Sequence, residues 1–452
     1  MTKPSRSKRR PYISAPDSGS QRCRRAVLAR AGALTIVLVA MGCGVDRHTA
    51  VDVAMGSAYR PPFPALDFGE PRPPARRGGE GAATAPGAAT APEPYQLLAG
   101  DFHCHVSPPD WDQEANRDLA GTVRLAKEEH LDFVVLTPHV GARFFLDEDR
   151  RRDELEALRG LRDEIARQAP GGPLLVAGFE YTDHRQGHLG FSFADLDGLL
   201  ARLSAQHLAR RPQDFMQGWV EAGGLIVVNH PLVTPLDSTF AIARADLSWR
   251  PWTRPDAETG VFPAEIVAAH HLAQAFEAYN LTAAHIRDRY LGPPGAGTYA
   301  ETLSRLDGEI LAQQRRIIPL GGSDSHENHL RATTFVLARE RTIEGVREAV
   351  LAGRVCVRDW RACTLRARVA GLPSGPGSAW QPPGAAFSSA RALEVRASGA
   401  DVRILVNGEA AAHPRAGEIA LLRLDPDRCS VVRAEIDGGA AAPLYANCSF
   451  VR

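Results

Sequence analysis

Residues 131–139 read LDFVVLTPH. Apart from Asp132, the first six residues are large and apolar, with no in-out alternation. Such a run predicts a strand buried on both faces, as in a parallel sheet. The run closes on a histidine, and the same construction recurs along the chain. LLVAGF (174–179) is followed by Glu180, and GLIVVN (224–229) by His230. FEAYN (276–280) and RIIPLGG (316–322) continue the series, and Asp324 and His326 follow the last. Between the runs lie stretches with apolar residues at helical spacing. One carries Leu119, Val123 and Ala126; another, 147–169, carries Leu155, Leu158, Leu161 and Ile165 amid charge. Strands alternating with helices to about residue 358 predict an α/β fold, either a barrel or a doubly wound sheet.

In parallel α/β folds, sites form at the C-terminal ends of the strands, where this chain places its chemistry. GDFHCHV (100–106) holds His103 and His105, which a period of two puts on one face of a strand with Cys104 on the other. Asp110 follows on a loop stiffened by Pro108 and Pro109. His139, Glu180, His188 in QGHLGF, His230, Asp324 and His326 complete the set. One histidine at a strand end is ordinarily a satisfied polar group. Six imidazoles and three carboxylates crowded at one rim would be costly without a cation. Neutral imidazole and carboxylate suit Zn²⁺, Mn²⁺ or Fe²⁺, so two or three divalent metals are expected. Arg185 and Arg331 flank these motifs and are candidates for clamping an anionic substrate. Glu277 and Asn280 lie on the same rim as candidates for supporting the ligands.

The flanks read differently. Residues 1–30 hold nine Lys/Arg against one acid, Asp17, and lead into the apolar stretch AGALTIVLVAMG (31–42) before Cys43. Twelve residues are too few to span a bilayer but match a signal-peptide core. The sequence V-A-M-G-C resembles a bacterial lipobox, with Cys43 as the lipid-attachment site; an ordinary secretory signal is the alternative. Residues 43–96 are rich in Pro, Ala and Gly, with GAATAP twice in tandem (81–92), and read as a flexible tether. The expected location is therefore extracytoplasmic, on a membrane through an N-terminal lipid anchor, in the periplasm or at the cell surface. The 452-residue chain has zero formal net charge, but from residue 43 onward it carries 44 basic and 52 acidic residues. An acidic body argues against nucleic acid as a partner. No CxxC occurs, and Cys429 with Cys448, or Cys356 with Cys363, are candidate disulfides. Beyond residue 360 come short alternating strands and an Asn407-Gly408 hairpin signal. Residues 361–452 therefore read as a small β-rich, sandwich-like C-terminal domain after the body at 97–360.

The motifs over 97–358 resemble those of the PHP (polymerase and histidinol phosphatase) superfamily. DFHCHV with Asp110 looks like the first motif, LTPH the second, GFE with GHLGF the third, VVNHP the fourth and GSDSH the last. The resemblance implies a distorted (β/α)7 barrel and up to three metals. It implies a first metal on His103, His105, Glu180 and Asp324. Glu180 would bridge to a second with His188 and His230. Asp110, His139 and His326 would hold the third. Pro138 stands where the second motif usually has an acid. The segment 232–275, with Trp249 and Trp252, looks like an insertion over the mouth. The signal, tether and β-rich tail resemble the extracytoplasmic CehA/McbA-like branch. The implied activity is metal-dependent hydrolysis by a metal-bridging hydroxide, on phosphoesters first. The alternatives are an amide, carbamate or carboxylic ester hydrolase on the same site, and a non-catalytic metal-binding surface lipoprotein.

Overall fold

The computed structural model describes residues 94–111, 115–183, 187–232, 248–253, 269–284, 298–327, 329–372 and 379–450. Cys43, the signal segment, the tether as far as residue 93 and Arg185 lie outside them, and Gln96, the last residue of the expected tether, already belongs to a strand. The fold is mixed α/β, organised on one large mixed sheet.

Every apolar run becomes a strand. β1 (Gln96–Cys104) pairs parallel with β2 (Phe133–Leu136), and β2 with β4 (Leu174–Asp183). The short β3 (His139–Gly141) lies parallel against the C-terminal part of β4, which puts His139 opposite Glu180 in register. GHLGF (187–191) is a strand as well. β5 (Gly187–Ser192) turns back antiparallel on β4 and then pairs antiparallel with β6 (Leu225–Val228). The parallel sense resumes with β7 (Ala275–Asn280) and β8 (Ile318–Gly322). Just past β8 the chain meets β1 again: the N–H of His105 donates to Ser325 O (3.0 Å), and that of Asp324 to His103 O (2.8 Å). The residues of β2, β6, β7 and β8 are buried throughout, as the unbroken apolar runs require.

The helices follow their predicted faces. In α1 (Leu119–Glu128), Asp118 caps the first turn by accepting from Gly121 N. In α2 (Glu148–Ala166), Asp147 accepts from the N–H groups of Asp149 and Arg150. Leu161 of α2 is buried, and Leu155 and Leu158 pack on the main core. α3 (Pro212–Glu221), α4 (Thr298–Gln313) and α5 (Ile343–Leu351) cover other strands. Among the described residues no helix is long and apolar enough to cross a membrane.

The tail is not a sheet apart. β9 (Thr334–Ala338) pairs antiparallel with β1, and β10 (Val355–Val357) with β9. β10 then pairs with a C-terminal strand, Gly439–Ala441, so the sheet runs from the body into the tail. The boundary expected at residue 360 is a change of sequence texture, not a break in the sheet. A second, three-stranded sheet (Arg366–Val369, Ala392–Arg396, Ala420–Arg423) supplies Leu393, Val395 and Leu422. These enter one apolar cluster with Phe335 and Leu337 of β9 and with Val432 and Ile436 of the tail. Asn407 and Gly408 both have positive φ (54° and 84°), the geometry of a type I′ hairpin. Across the seam, Arg433 and Asp307 of α4 form a buried ion pair (2.9 Å). Both candidate disulfides, Cys356–Cys363 and Cys429–Cys448, are present; among the described residues Cys104 is the free, buried cysteine.

Trp249 and Trp252 are core residues. Both are buried, Trp252 stacks on Phe276, and the indole N–H of Trp249 donates to His270 Nδ1 (2.8 Å). These two rings therefore support β5 and β7 from within and do not shield an opening.

Candidate metal centre

The strand ends bring eight of the nine sequence-selected residues into three groups, two of which share His105. His103, His105 and Asp324 form one; Glu180, His188 and His230 a second; His105, His139 and His326 a third. Within each group the ligand atoms all lie within 4.8 Å of one another. The resemblance puts Asp110 with His139 and His326. The structure puts His105 there, with Asp110 behind it: Asp110 Oδ2 is 3.0 Å from His105 Nδ1, and Oδ1 accepts from the His139 N–H (2.7 Å).

The partners of each imidazole fix its tautomer. His103 Nδ1 faces Glu277 Oε1 (3.1 Å), and His105 Nδ1 faces Asp110. His139 Nδ1 faces Thr182 Oγ1 (2.9 Å), and His326 Nδ1 faces the Asp324 carbonyl (3.0 Å). Carboxylate and carbonyl oxygens accept only, so Nδ1 of His103, His105 and His326 donates; burial opposes a charge on His103, but Asp324, Glu277 and Glu180 push its pKa well up, so a cation at Nε2 would displace a proton there. Their Nε2 atoms point inward. His103 Nε2 stands 3.2 Å from His105 Nε2, and His139 Nε2 stands 3.3 Å from His326 Nε2. At that distance the two nitrogens share either a proton or a cation. Tetrahedral ligands at about 2.0–2.1 Å from zinc are about 3.3 Å apart. His103 Nε2 to Glu180 Oε1 (3.1 Å), His103 Nε2 to Asp324 Oδ1 (3.4 Å) and His105 Nε2 to Asp324 Oδ1 (3.3 Å) match that edge. The donor set and its spacing fit divalent cations.

Glu180 is the hub. Its Oε1 faces His103, His188 (3.2 Å) and His230 (3.6 Å), and its Oε2 faces His139 Nδ1 (3.0 Å). Asn229 donates to Oε1 (2.7 Å). Gly190, opposite Glu180 in the hairpin, leaves the space that the Asn229 side chain occupies. Burial opposes ionisation of Glu180, but the His188 and His103 imidazoles hold its carboxyl well below the usual range. Burial opposes ionisation of Asp324 too, and His103, His105 and His326 keep it low. Burial, with His105 beside it, pushes the His326 pKa well down and leaves the ring neutral, the state that binds a metal.

The scaffold behind the ligands was only partly visible in the sequence. Glu277 and Asn280 take the supporting places expected of them. Glu277 Oε2 accepts from the His230 N–H (2.6 Å) and from Asn280 Nδ2 (2.9 Å), which also reaches Asp324 Oδ2 (3.2 Å). A side chain on Gly322 would collide with Glu277 and His103, so glycine is what lets the two meet. His230 (φ 28°) and Asp324 (φ 52°) have left-handed backbone, strain of the kind that collects at functional sites.

Sequence reading missed Asp101, although the same period of two that aligns His103 and His105 includes it. Asp101 accepts from the N–H of Ser323 (2.8 Å) and of His103 (3.2 Å), and from the Ser323 hydroxyl. It thereby ties β1 to the loop bearing Asp324. Burial pushes its carboxyl up to about 6 despite those bonds. Arg117 was also missed. It is buried and donates to Ser325 Oγ (2.9 Å) and Cys104 Sγ (3.2 Å) on the far side of β1. Burial drives the Cys104 thiol up to about 12, so it is no nucleophile. Arg331 lies 3.8 Å from Glu129, which follows α1.

The chain is similar in structure to a two-domain protein from Bacteroides vulgatus described as containing a predicted PHP-like metal-dependent phosphoesterase. The TM-score is 0.38 at 16% identity, over 79% of this chain and 94% of that one. It is also similar to PsfC from Pseudomonas syringae, with TM-score 0.32 and 16% identity, over 56% of this chain and 88% of that one. No protein-family model and no curated protein matches the chain.

Proposed function

We infer that this protein is a metal-dependent hydrolase of the PHP type, acting on phosphoesters, and that its body is the distorted (β/α)7 barrel of that superfamily. The observation that carries the reading is the inward convergence of paired Nε2 atoms beside two buried carboxylates, Glu180 and Asp324. The hydrogen bonds from β8's end back to β1 support a closed strand ring. The order and local context of the five motifs support the family.

Two or three divalent cations bound there would supply Lewis acidity and water acidified to a pKa of about 7. The chain's own groups do the rest. Glu277, Asp110 and the Asp324 carbonyl hold the rings of His103, His105 and His326 in their ligating tautomer. Glu180, buried and ionised, links the His188–His230 side to the His103 side. His139 is the most open of these side chains at 24% exposure, so substrate approaches on its side. The membrane-anchored, extracytoplasmic location remains part of the proposal; two disulfides support an oxidising compartment.

The test is a substrate panel on protein loaded with Zn²⁺ or Mn²⁺. Turnover of p-nitrophenyl phosphate or its diester, with none of p-nitrophenyl acetate or an aryl carbamate, supports the reading. The reverse pattern assigns the site to carboxylic esters or carbamates. No turnover of any of these by metal-loaded protein leaves a binding protein.

A further inference from the structure

A buried cation lies behind the ligating histidines. Arg117, two residues before α1, is almost fully buried, and among the described residues no carboxylate pairs with it. Its guanidinium bonds to neutral acceptors instead. Nε donates to Thr122 Oγ1 (2.9 Å), Nη1 to Ser325 Oγ (2.9 Å) and Nη2 to Cys104 Sγ (3.2 Å). The His105 and Ser325 carbonyls stand 3.4 and 3.5 Å from Nη2. Burying a charge without a partner ion is costly. An apolar side chain would fill the same space without that cost, so packing alone does not account for this arginine.

The backbone of the same segment makes the same connection. Arg117 O accepts from the Ser107 N–H (2.9 Å), and the Asn116 N–H donates to His326 O (3.1 Å). Residues 116 and 117 thus strap the end of β1 to the loop after β8. Ser325, which takes Nη1, stands between Asp324 and His326. The strap therefore grips the chain next to His105 and next to His326, two members of one candidate group. Glu180, His188 and His230 are set from other elements, β4, β5 and the end of β6, with Asn229 and Glu277 behind them.

We propose that Arg117 is a positioning residue for the His105 side of the centre. Its planar fork sets the spacing of His105 and His326, and with it the affinity for the cation these two share. The proposal rests on the metal-centre reading above. A guanidinium reaches three acceptors in fixed directions, which an ammonium on a flexible stem does not. Support behind a ligand is worth about 10–100-fold in metal affinity.

The test uses the full chain, stripped with chelator and titrated with Co²⁺, whose visible spectrum reports the geometry of its ligands. Arg117→Met fills the space without the fork. It should weaken at least one bound equivalent about 10–100-fold and alter the spectrum of that equivalent. The equivalent held by Glu180, His188 and His230 should stay within about twofold, and adding His188→Ala should remove it. Arg117→Lys keeps the charge without the fork and should recover no more than about threefold. Thr122→Val leaves Arg117 in place with one acceptor fewer. It should weaken the same equivalent about threefold, and it carries the test if circular dichroism shows Arg117→Met unfolded. Wild-type protein that binds no Co²⁺ defeats the metal-centre reading and the proposal with it. Wild-type binding left unchanged in the variants, all equivalents weakened alike, or full recovery by lysine would overturn the proposal and leave the metal-centre reading standing.

Discussion

Glu277 Oε1 lies 3.1 Å from His103 Nδ1, with both side chains buried. Its other oxygen holds the His230 N–H, so one carboxylate orients a ligand of the first group and the strained backbone of a ligand of the second. A metal-binding histidine whose second nitrogen loses its acceptor becomes free to turn and to switch tautomer.

Glu277→Gln keeps the shape and offers an amide in place of that carboxylate. Metal affinity, measured by competition with a chromophoric chelator, should fall 10–100-fold. The fold, followed by circular dichroism, should persist. Unchanged affinity would mean that His103 is oriented by something else.

Asp307 and Arg433 predict how body and tail unfold. Each is almost fully buried, and they join α4 to a tail strand that continues the body's sheet. Asp307→Ala leaves the buried guanidinium with Glu435 (2.7 Å) as its remaining carboxylate and should cost about 1–3 kcal/mol in urea unfolding. Replacing both residues with apolar side chains should recover much of that loss. One transition seen by probes in both parts is expected; two separate transitions would show that the tail folds alone.

Glu154 gives a pH signature. Burial, offset in part by Arg150, pushes its carboxyl up to about 7 from an ordinary value near 4.5. The folded state therefore holds this proton more tightly than the unfolded chain does. That contribution is fully present below pH 4.5 and is lost as pH rises through 7. Glu154→Gln should match wild type at pH 4.5 and exceed it by about 1–3 kcal/mol at pH 8. Equal stability at both pH values would show that the carboxyl is solvated.

The strands, and the polar residues that converge at their ends, were legible in the sequence for a definite reason. A strand buried on both faces needs an unbroken apolar run, and a polar residue ending such a run stands out, as His139, Glu180 and His230 do. Groups that support from behind leave no such mark. Asn229 sits beside His230 as an ordinary strand-end amide, and only the β4–β5 hairpin brings it to Glu180. Asp110 was legible as a member of the site, but whether it meets His326 or stands behind His105 depends on loop geometry that spacing does not encode. The joining of body and tail was hidden for a related reason. β10 and its partner strand are three residues each and more than eighty apart in sequence. Tryptophan in a polar segment suggests a cover, yet Trp249 and Trp252 belong to the core, where Gly187 leaves room for the Trp249 ring.

The central claim is that the Nε2 atoms of His103 and His105 share a cation with Asp324. Elemental analysis of protein purified without chelator, then dialysed against limiting Zn²⁺ or Mn²⁺, tests it most directly. Asp324→Asn is the control, because asparagine tolerates the left-handed backbone while losing the charge. The account predicts about two or more tightly held metal equivalents per wild-type chain and a loss of about one or more in the variant. Wild-type protein that retains no metal, or a variant that retains as much as wild type, would contradict it.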